Sequence, residues 1–305
     1  MREKSGGCLM KWGAPATTAL SRTPGPLLRL LAPGDERAFE LFLERHWTTS
    51  VTLRANLKAA GLEDFGQPLQ GAYFAAWEGA TIVGAAAHYT NHFVVLQAPR
   101  ALNQIVRGVV AASNRAIAAV QGPWPQVEAA VAALGLKRDK MTGKAQILST
   151  LDLAKMIKPE ALKRELIKVR EARAADVDRL LPWYSAYHGE NTGFVEPSEA
   201  ARDELQRQIE ARAVFVAETD RPVAMTTFEV WQGDTVKIGA VYTPPAMKNK
   251  GYGSAAVAGA LLEAQSRGIA RATILCDKAD TVGQRAFGAL GFTTLSDYGI
   301  LRRPQ

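Results

Sequence analysis

The sequence predicts a mixed α/β (α+β) protein of two tandem domains, each a mixed, mostly antiparallel twisted sheet flanked by helices. Three observations carry that expectation. The chain has 305 residues, and at roughly 100 to 200 residues per domain this length favours two. Hydrophobic residues make up 47% and charged residues 22%, close to ordinary globular usage, so a core can form and wholesale disorder is excluded. The third is an internal repeat, which emerges when the elements are taken in order.

The first 26 residues carry Arg2, Lys4, Lys11 and Arg22 against Glu3, with scattered Gly and Pro and no continuous apolar stretch. They read as a flexible tail, or a misassigned start, rather than a secretory signal. Residues 29–39 (RLLAPGDERAF) and 170–180 (REARAADVDRL) both read as a short strand followed by an acidic helix opening, with Asp35 matched by Asp176 at an offset of 141. At the same offset, 72–86 and 213–227 are each two apolar runs around a polar turn, the pattern of a hairpin. The turn at 98–102 (APRAL) resembles that at 243–247 (TPPAM), each followed by an Ala- and Val-rich helical stretch. Both halves then close a helix on similar words, Ala133-Leu134-Gly135-Leu136 and Ala289-Leu290-Gly291-Phe292, with glycine where a helix C-terminus prefers it. Each half therefore reads strand, helix, hairpin strands, strand, helix, strand, helix, strand, which places antiparallel strands early and a crossover helix late. The expected division is a first domain at 27–150, a linker at 151–164 and a second domain at 165–305.

Several function classes are excluded early. Apolar runs are too short for a membrane span of roughly 18 to 20 residues; one of the longest, 255–262, stops at Glu263. Cys8 and Cys276 supply neither a disulfide framework nor a thiolate metal site, which fits a reducing, cytoplasmic compartment. The histidines, His46, His88, His92 and His188, form no HExxH pattern, so no metal is expected. The net charge is +7, and a surplus of six lies between positions 137 and 173, where eleven basic residues face five acidic ones. That segment has no aromatic side chain to stack on a base, so it reads as a solvated connector or an anion-steering surface rather than a nucleic-acid groove.

The chemistry concentrates at one place. Residues 236–243 (VKIGAVYT) read as a strand, Pro244 and Pro245 stop it, and Lys248-Asn249-Lys250-Gly251-Tyr252-Gly253-Ser254 opens a helix. A glycine-rich turn at a helix N-terminus exposes unpaired N–H groups at the positive end of the helix dipole and lets the backbone approach phosphate oxygens. Neither GxxxxGK(S/T) nor a first-strand GxGxxG is present in that setting. The pattern Lys248-x-x-Gly251-x-Gly253 resembles the acyl-CoA pyrophosphate loop, Gln/Arg-x-x-Gly-x-Gly/Ala, of the GNAT superfamily of N-acetyltransferases, with Lys replacing the usual Gln or Arg. Downstream, Phe287-x-x-Leu290-Gly291-Phe292 resembles that family's Tyr-x-x-Leu-Gly-Phe ending, and Asp280 stands where Asn is usual. The resemblance covers 165–305 well and extends in degenerate form to the first half, whose loop after Pro99 and Arg100 keeps no Gly-x-Gly. The first copy is thus expected to keep the fold and lack the cofactor site.

The resemblance implies acetyl-CoA as cosubstrate, an amine as acceptor, and direct transfer in a ternary complex. Val241, Tyr242 and Thr243 would pair with the pantetheine amides, and Lys248, Asn249, Lys250, Gly251, Tyr252, Gly253 and Ser254 would hold the pyrophosphate, with Asp280 and Phe287 completing the cofactor site. A phenyl ring at Phe287 cannot donate the proton that the family's Tyr gives the departing thiolate; Tyr298, Tyr252 or water would do so, or the thiolate would leave unassisted. For the base, 236–243 has no carboxylate, which leaves Glu229 on the preceding strand. His188 and Glu190, in Trp183-Tyr184-Ser185-Ala186-Tyr187-His188-Gly189-Glu190, supply a second candidate base and an ammonium-binding carboxylate. The competing reading has Trp183 and Tyr187 packing as a helix face, with His188 and Glu190 solvated at its end. By the period of two, Tyr242 falls on the same strand face as Val236 and Ile238; Lys237 reads as a solvated strand residue, Cys276 as a core hydrophobe, and Asp280 also as a helix cap. The favoured function is acetyl transfer from acetyl-CoA to an amine. The alternatives are a non-catalytic acyl-CoA binding or sensing protein, and an interaction module with a vestigial site.

Overall fold

The computed structural model describes residues 25–192 and 198–304. The first half runs β1 (Leu27–Leu30), α1 (Glu36–Arg45), α2 (Trp47–Ala60), β2 (Gly71–Glu78), β3 (Thr81–Tyr89), β4 (Phe93–Gln97), α3 (Leu102–Ser113), β5 (Ala119–Pro123), α4 (Trp124–Ala133) and β6 (Ala145–Asp152). A short helix, α5 (Glu160–Lys163), leads to the second. There the order is β7 (Lys168–Glu171), α6 (Val177–Thr192), α7 (Ser198–Glu210), β8 (Val214–Glu218), β9 (Pro222–Gln232), β10 (Thr235–Tyr242), α8 (Tyr252–Ser266), β11 (Arg271–Asp277), α9 (Thr281–Ala289) and β12 (Thr293–Arg302).

The repeated segments fold alike down to single hydrogen bonds. Arg29 forks onto Asp35, Nη2 to Oδ1 at 2.8 Å, and Arg170 onto Asp176 at 3.0 Å. Each carboxylate also accepts the N–H three residues before it, from Ala32 at 3.0 Å and Arg173 at 2.8 Å. Both arginines and both acids are related by 141 positions, so one covalent pattern sets the strand-to-helix corner twice.

The two mixed sheets join edge to edge into one of twelve strands, ordered β1-β2-β3-β4-β5-β12-β6-β11-β10-β9-β8-β7. Neighbours are antiparallel except β4 with β5 and β10 with β11. The order reads the same from either end about the β12/β6 pair, a pseudo-two-fold axis. The terminal strands are exchanged: β6, from the first half, lies against β11 of the second, and β12 lies against β5 of the first. Each half is thus completed by the other's last strand. Arg271 adds a clamp across the halves, bonded to Glu44 at 2.9 Å and Asp234 at 2.7 Å, with its guanidinium 4.4 Å over the Trp47 ring.

Apolar alternation on the second-half strands buries both faces. One face, with Phe215, Phe228, Val236, Ile238 and Ile274, packs under α8. Ala255, Ala256, Val257, Ala258, Ala260 and Leu261 of α8 are fully buried, and small side chains let that helix lie close to the sheet. At Gly259 an added Cβ would stand 2.4 Å from Val169 Cβ, which is why glycine sits where α8 crosses β7. The opposite face, with Val214, Val216, Met225 and Ala240, packs under α6 and α7.

Two strand expectations are corrected here. The register of β10 against β9 slips between Ile238 and Val241, an inserted residue that shifts the side-chain alternation by one. Tyr242 therefore lies with Ala240 on the α6 face, its ring centroid 6.3 Å from that of Trp183, and not beside Val236 and Ile238. Lys237 is not solvated. It is 6% exposed, because α2 of the first half covers this face of β10, and its ammonium meets Glu229 Oε2 at 2.9 Å.

Candidate functional site

The site is a gap between two parallel strands. β10 and β11 pair only over Thr235–Ile238 and Arg271–Ile274. Beyond that register the bulge and the double proline carry β10 away, and a cavity of about 410 Å³ opens between the strands. Its walls run through the sheet. On the α8 side lie Thr243, Gly251, Tyr252, Gly253 and Ser254; on the α6 side lies Tyr187.

The α8 end has the backbone geometry of an anion cradle. Asn249 and Gly251 have positive φ, 65° and 76°, which turns the intervening backbone N–H groups toward one side. The first helical bond runs from Ala255 N to Gly251 O at 3.0 Å, so the N–H groups of Tyr252, Gly253 and Ser254 point out of the helix end without an intrahelical acceptor. A Cβ on Gly253 would stand 3.3 Å from Thr243 Oγ1 and crowd the mouth. Lys248 and Asn249 line the cavity; Lys250 is exposed beside it.

Tyr187 donates its hydroxyl to Gly239 O at 3.3 Å, and burial pushes its pKa up. Gly239 is the bulge residue, and a Cβ there would meet Thr227 Oγ1 at 2.6 Å and Glu229 Cβ at 3.2 Å. Glu229 is thus beside the cavity wall, half-exposed and held by Lys237. The Lys237 ammonium is held above its ordinary pKa: burial works against the charge, and the Glu229 carboxylate and the hydrogen bond to it outweigh that. Cys276 lines the wall with its thiol pushed up to about 12 by burial and by Asp280, so it remains protonated. Asp280 caps α9, its Oδ1 accepting from Gly283 N at 2.8 Å, and it also lines the cavity. Phe287 lines it too, its ring edge-on to Phe292 with centroids 6.2 Å apart.

The remaining sequence candidates lie elsewhere. Tyr298 does not line this cavity; it sits in a separate void of about 10 Å³ with Thr52, Lys237 and Thr273, and accepts from Gln121 Nε2 at 3.4 Å. Burial raises its pKa. His188 is half-buried in α6, packed on Tyr184 with ring centroids 4.5 Å apart. Glu190 belongs to α6 by its backbone, and its side chain lies outside the described residues. Sequence reasoning missed Gly239, Gln146, Asp277 and the cavity-facing role of Tyr187. A glycine inside a strand pattern was the available signal for the bulge; Gln146 had none, since it arrives from the other half. No cluster of metal-ligating side chains is present among the described residues.

The first half shows the same splay in closed form. β4 and β5 pair over Phe93–Val95 and Ala119–Gln121 and then part. There the Leu96 side chain fills the gap, 3.0 Å from the Cβ position of Gly122, and Gln126 Oε1 takes the Ala98 N–H at 2.7 Å. A positive φ persists at the start of α3, but on Ala101 rather than glycine. The second-half cradle, in contrast, fits a pyrophosphate: convergent N–H groups, glycine where a side chain would intrude, and lysine at the rim.

Comparison with known proteins accords with this geometry. The Acetyltransferase (GNAT) family model matches residues 178–292. Among solved structures, a Drosophila protein superposes with a TM-score of 0.65 at 12% identity, covering 92% of this chain and 99% of that one. A GCN5-related N-acetyltransferase from Sphaerobacter thermophilus gives 0.52 at 14% identity, over 91% and 96% of the two chains. A tandem GNAT protein from the clavulanic acid biosynthesis pathway gives 0.51 at 13%, over 90% and 97%. At these identities the likeness is one of fold, and it spans both halves. A sequence search of curated proteins finds no match, and no helix among the described residues is long and apolar enough to cross a membrane.

Proposed function

Residues 178–292 belong to the GNAT acetyltransferase family, and from that premise we propose that the protein is an acyl-CoA-dependent N-acyltransferase that moves an acetyl group from acetyl-CoA to an amine. The observation that carries the reading is the through-sheet cleft, with an anion cradle at the α8 end and a polar wall at the α6 end. In this reading the N–H groups of Tyr252, Gly253 and Ser254 and the Lys248 ammonium hold the pyrophosphate, and the backbone of Val241, Tyr242 and Thr243 aligns the pantetheine arm. Acetyl-CoA supplies an acetyl group activated as a thioester. Glu229, ion-paired to Lys237 at 2.9 Å, attracts the acceptor ammonium and receives its proton, directly or through water. Phe287 occupies the position of the family's proton donor without a hydroxyl, so a proton for the departing thiolate would come from another O–H that lines the cleft, Tyr187 or Tyr252, or from water. The first half, its gap filled by Leu96 and Gln126, binds no cofactor of its own.

Calorimetric titration with acetyl-CoA tests this, with CoA, ATP and NAD as controls. One acetyl-CoA per chain is expected. No binding would overturn the transferase reading, and two per chain would overturn the inactive first half.

A further inference from the structure

The exchange of terminal strands has a chemical outcome at the cleft. Among the described residues, Gln146 of β6 is the one from the first half that lines it. It reaches the site because β6 takes the place beside β11, in a register that sets Gln146 opposite Asp277 on one side and Tyr298 on the other. Directly opposed residues share a face. The alternation Thr273, Leu275, Asp277 and its partners Thr150, Leu148, Gln146 put that face away from α8, on the side of α2 and α6. The anion cradle is at the α8 end, so Gln146 stands at the opposite mouth, where an acceptor enters.

Its carboxamide makes no hydrogen bond to any other described residue. It is half-buried and offers one acceptor and two N–H donors to the cleft. The two carboxylates that line the cleft with it are already engaged. Asp277 is paired with Lys144, which holds its carboxyl below the usual range, and Asp280 accepts the Gly283 N–H at 2.8 Å. Lys144 also comes from the first half, so that half delivers both the free amide and the cation that balances its neighbour.

We propose that Gln146 is a specificity-determining residue that reads the acceptor, favouring an amine with a neutral hydrogen-bonding group, such as a carboxamide, beside the nitrogen. The inference rests on the transferase reading. An unpaired amide in a half-buried site gains most from a ligand that both donates and accepts, and an acceptor lacking such a group leaves it unsatisfied.

The test measures binding. With CoA bound, wild type and the near-isosteric variant Gln146→Met are titrated with glycinamide and with isobutylamine, which matches it in shape without the amide. Wild type is expected to favour glycinamide, and Gln146→Met to reduce the ratio of the two affinities by roughly five- to tenfold; comparing ratios cancels the different basicities of the amines. CoA affinity should be the same in both proteins. An unchanged ratio in Gln146→Met, or no preference in wild type, overturns the proposal. Failure of the transferase reading is distinguished at the first step, because wild type would then bind no CoA before any amine is added.

Discussion

If the loop at the start of α8 holds the pyrophosphate as proposed, Gly251 lies where a single side chain would decide its occupancy. Its Cβ direction is open, with nothing within 4 Å, and its φ is +76°. Gly251→Glu therefore costs only the strain of a side chain in the left-handed region, about 1 kcal/mol, while it sets a carboxylate where the pyrophosphate would lie. The expected outcome is a folded protein, by circular dichroism, whose calorimetric titration with acetyl-CoA is flat. The loop was legible in the sequence because glycine spacing and a double proline are local signals. Lys237 was not, because what buries it is α2, nearly 190 positions away in the chain (237 against 47–60). Tyr242 was misplaced by a rule that holds only for an unbroken strand; one inserted residue inverted the face, at a glycine the pattern already contained.

At the scale of elements, Asp280 and His88 each pin a helix end. Asp280 caps α9, and Asp280→Ala is expected to lower stability by about 1 kcal/mol, with Asp280→Asn restoring most of it, both read in chemical denaturation. His88 is fully buried in β3, Nδ1 at 2.7 Å from Ser113 Oγ at the end of α3 and Nε2 at 3.2 Å from Ala116 O. Burial is the main cause that lowers its pKa below the ordinary 6.5. The unfolded chain thus takes up a proton at His88 before the folded one does, so stability is full above about pH 6.5 and falls as pH descends toward the folded pKa. Urea midpoints measured between pH 5 and 7.5 should fall more steeply in wild type than in His88→Gln; parallel curves would exclude the effect. The element order itself was readable from the repeat, since hairpins and helix ends are written in short words. Which strand lies beside which was not, because hydrophobic alternation records that a strand is buried and not which neighbour buries it.

For the whole molecule, the exchanged strands and the Arg271 clamp mean that neither half holds a complete sheet. A break in the 156–165 segment should give two pieces that each leave open strand edges, β5 and β6 in one and β11 and β12 in the other. Expressed singly, each is expected to be insoluble or unfolded; expressed together, they should copurify as one species, read by size exclusion and circular dichroism. A soluble, cooperatively folding second half alone would contradict the arrangement. The tandem architecture was legible from the 141-residue offset, yet a repeat cannot say whether its copies close separately or through one another.

The exchange also bears on how the chain is made. The strand that completes the first half, Thr293–Arg302, is made only after all the other strands of the second half. Until β12 emerges, β5 and β6 each carry a row of unpaired backbone groups, an edge prone to pair with any extended segment nearby. The half made first is therefore finished last, and its exposure to misassembly lasts as long as synthesis of its twin.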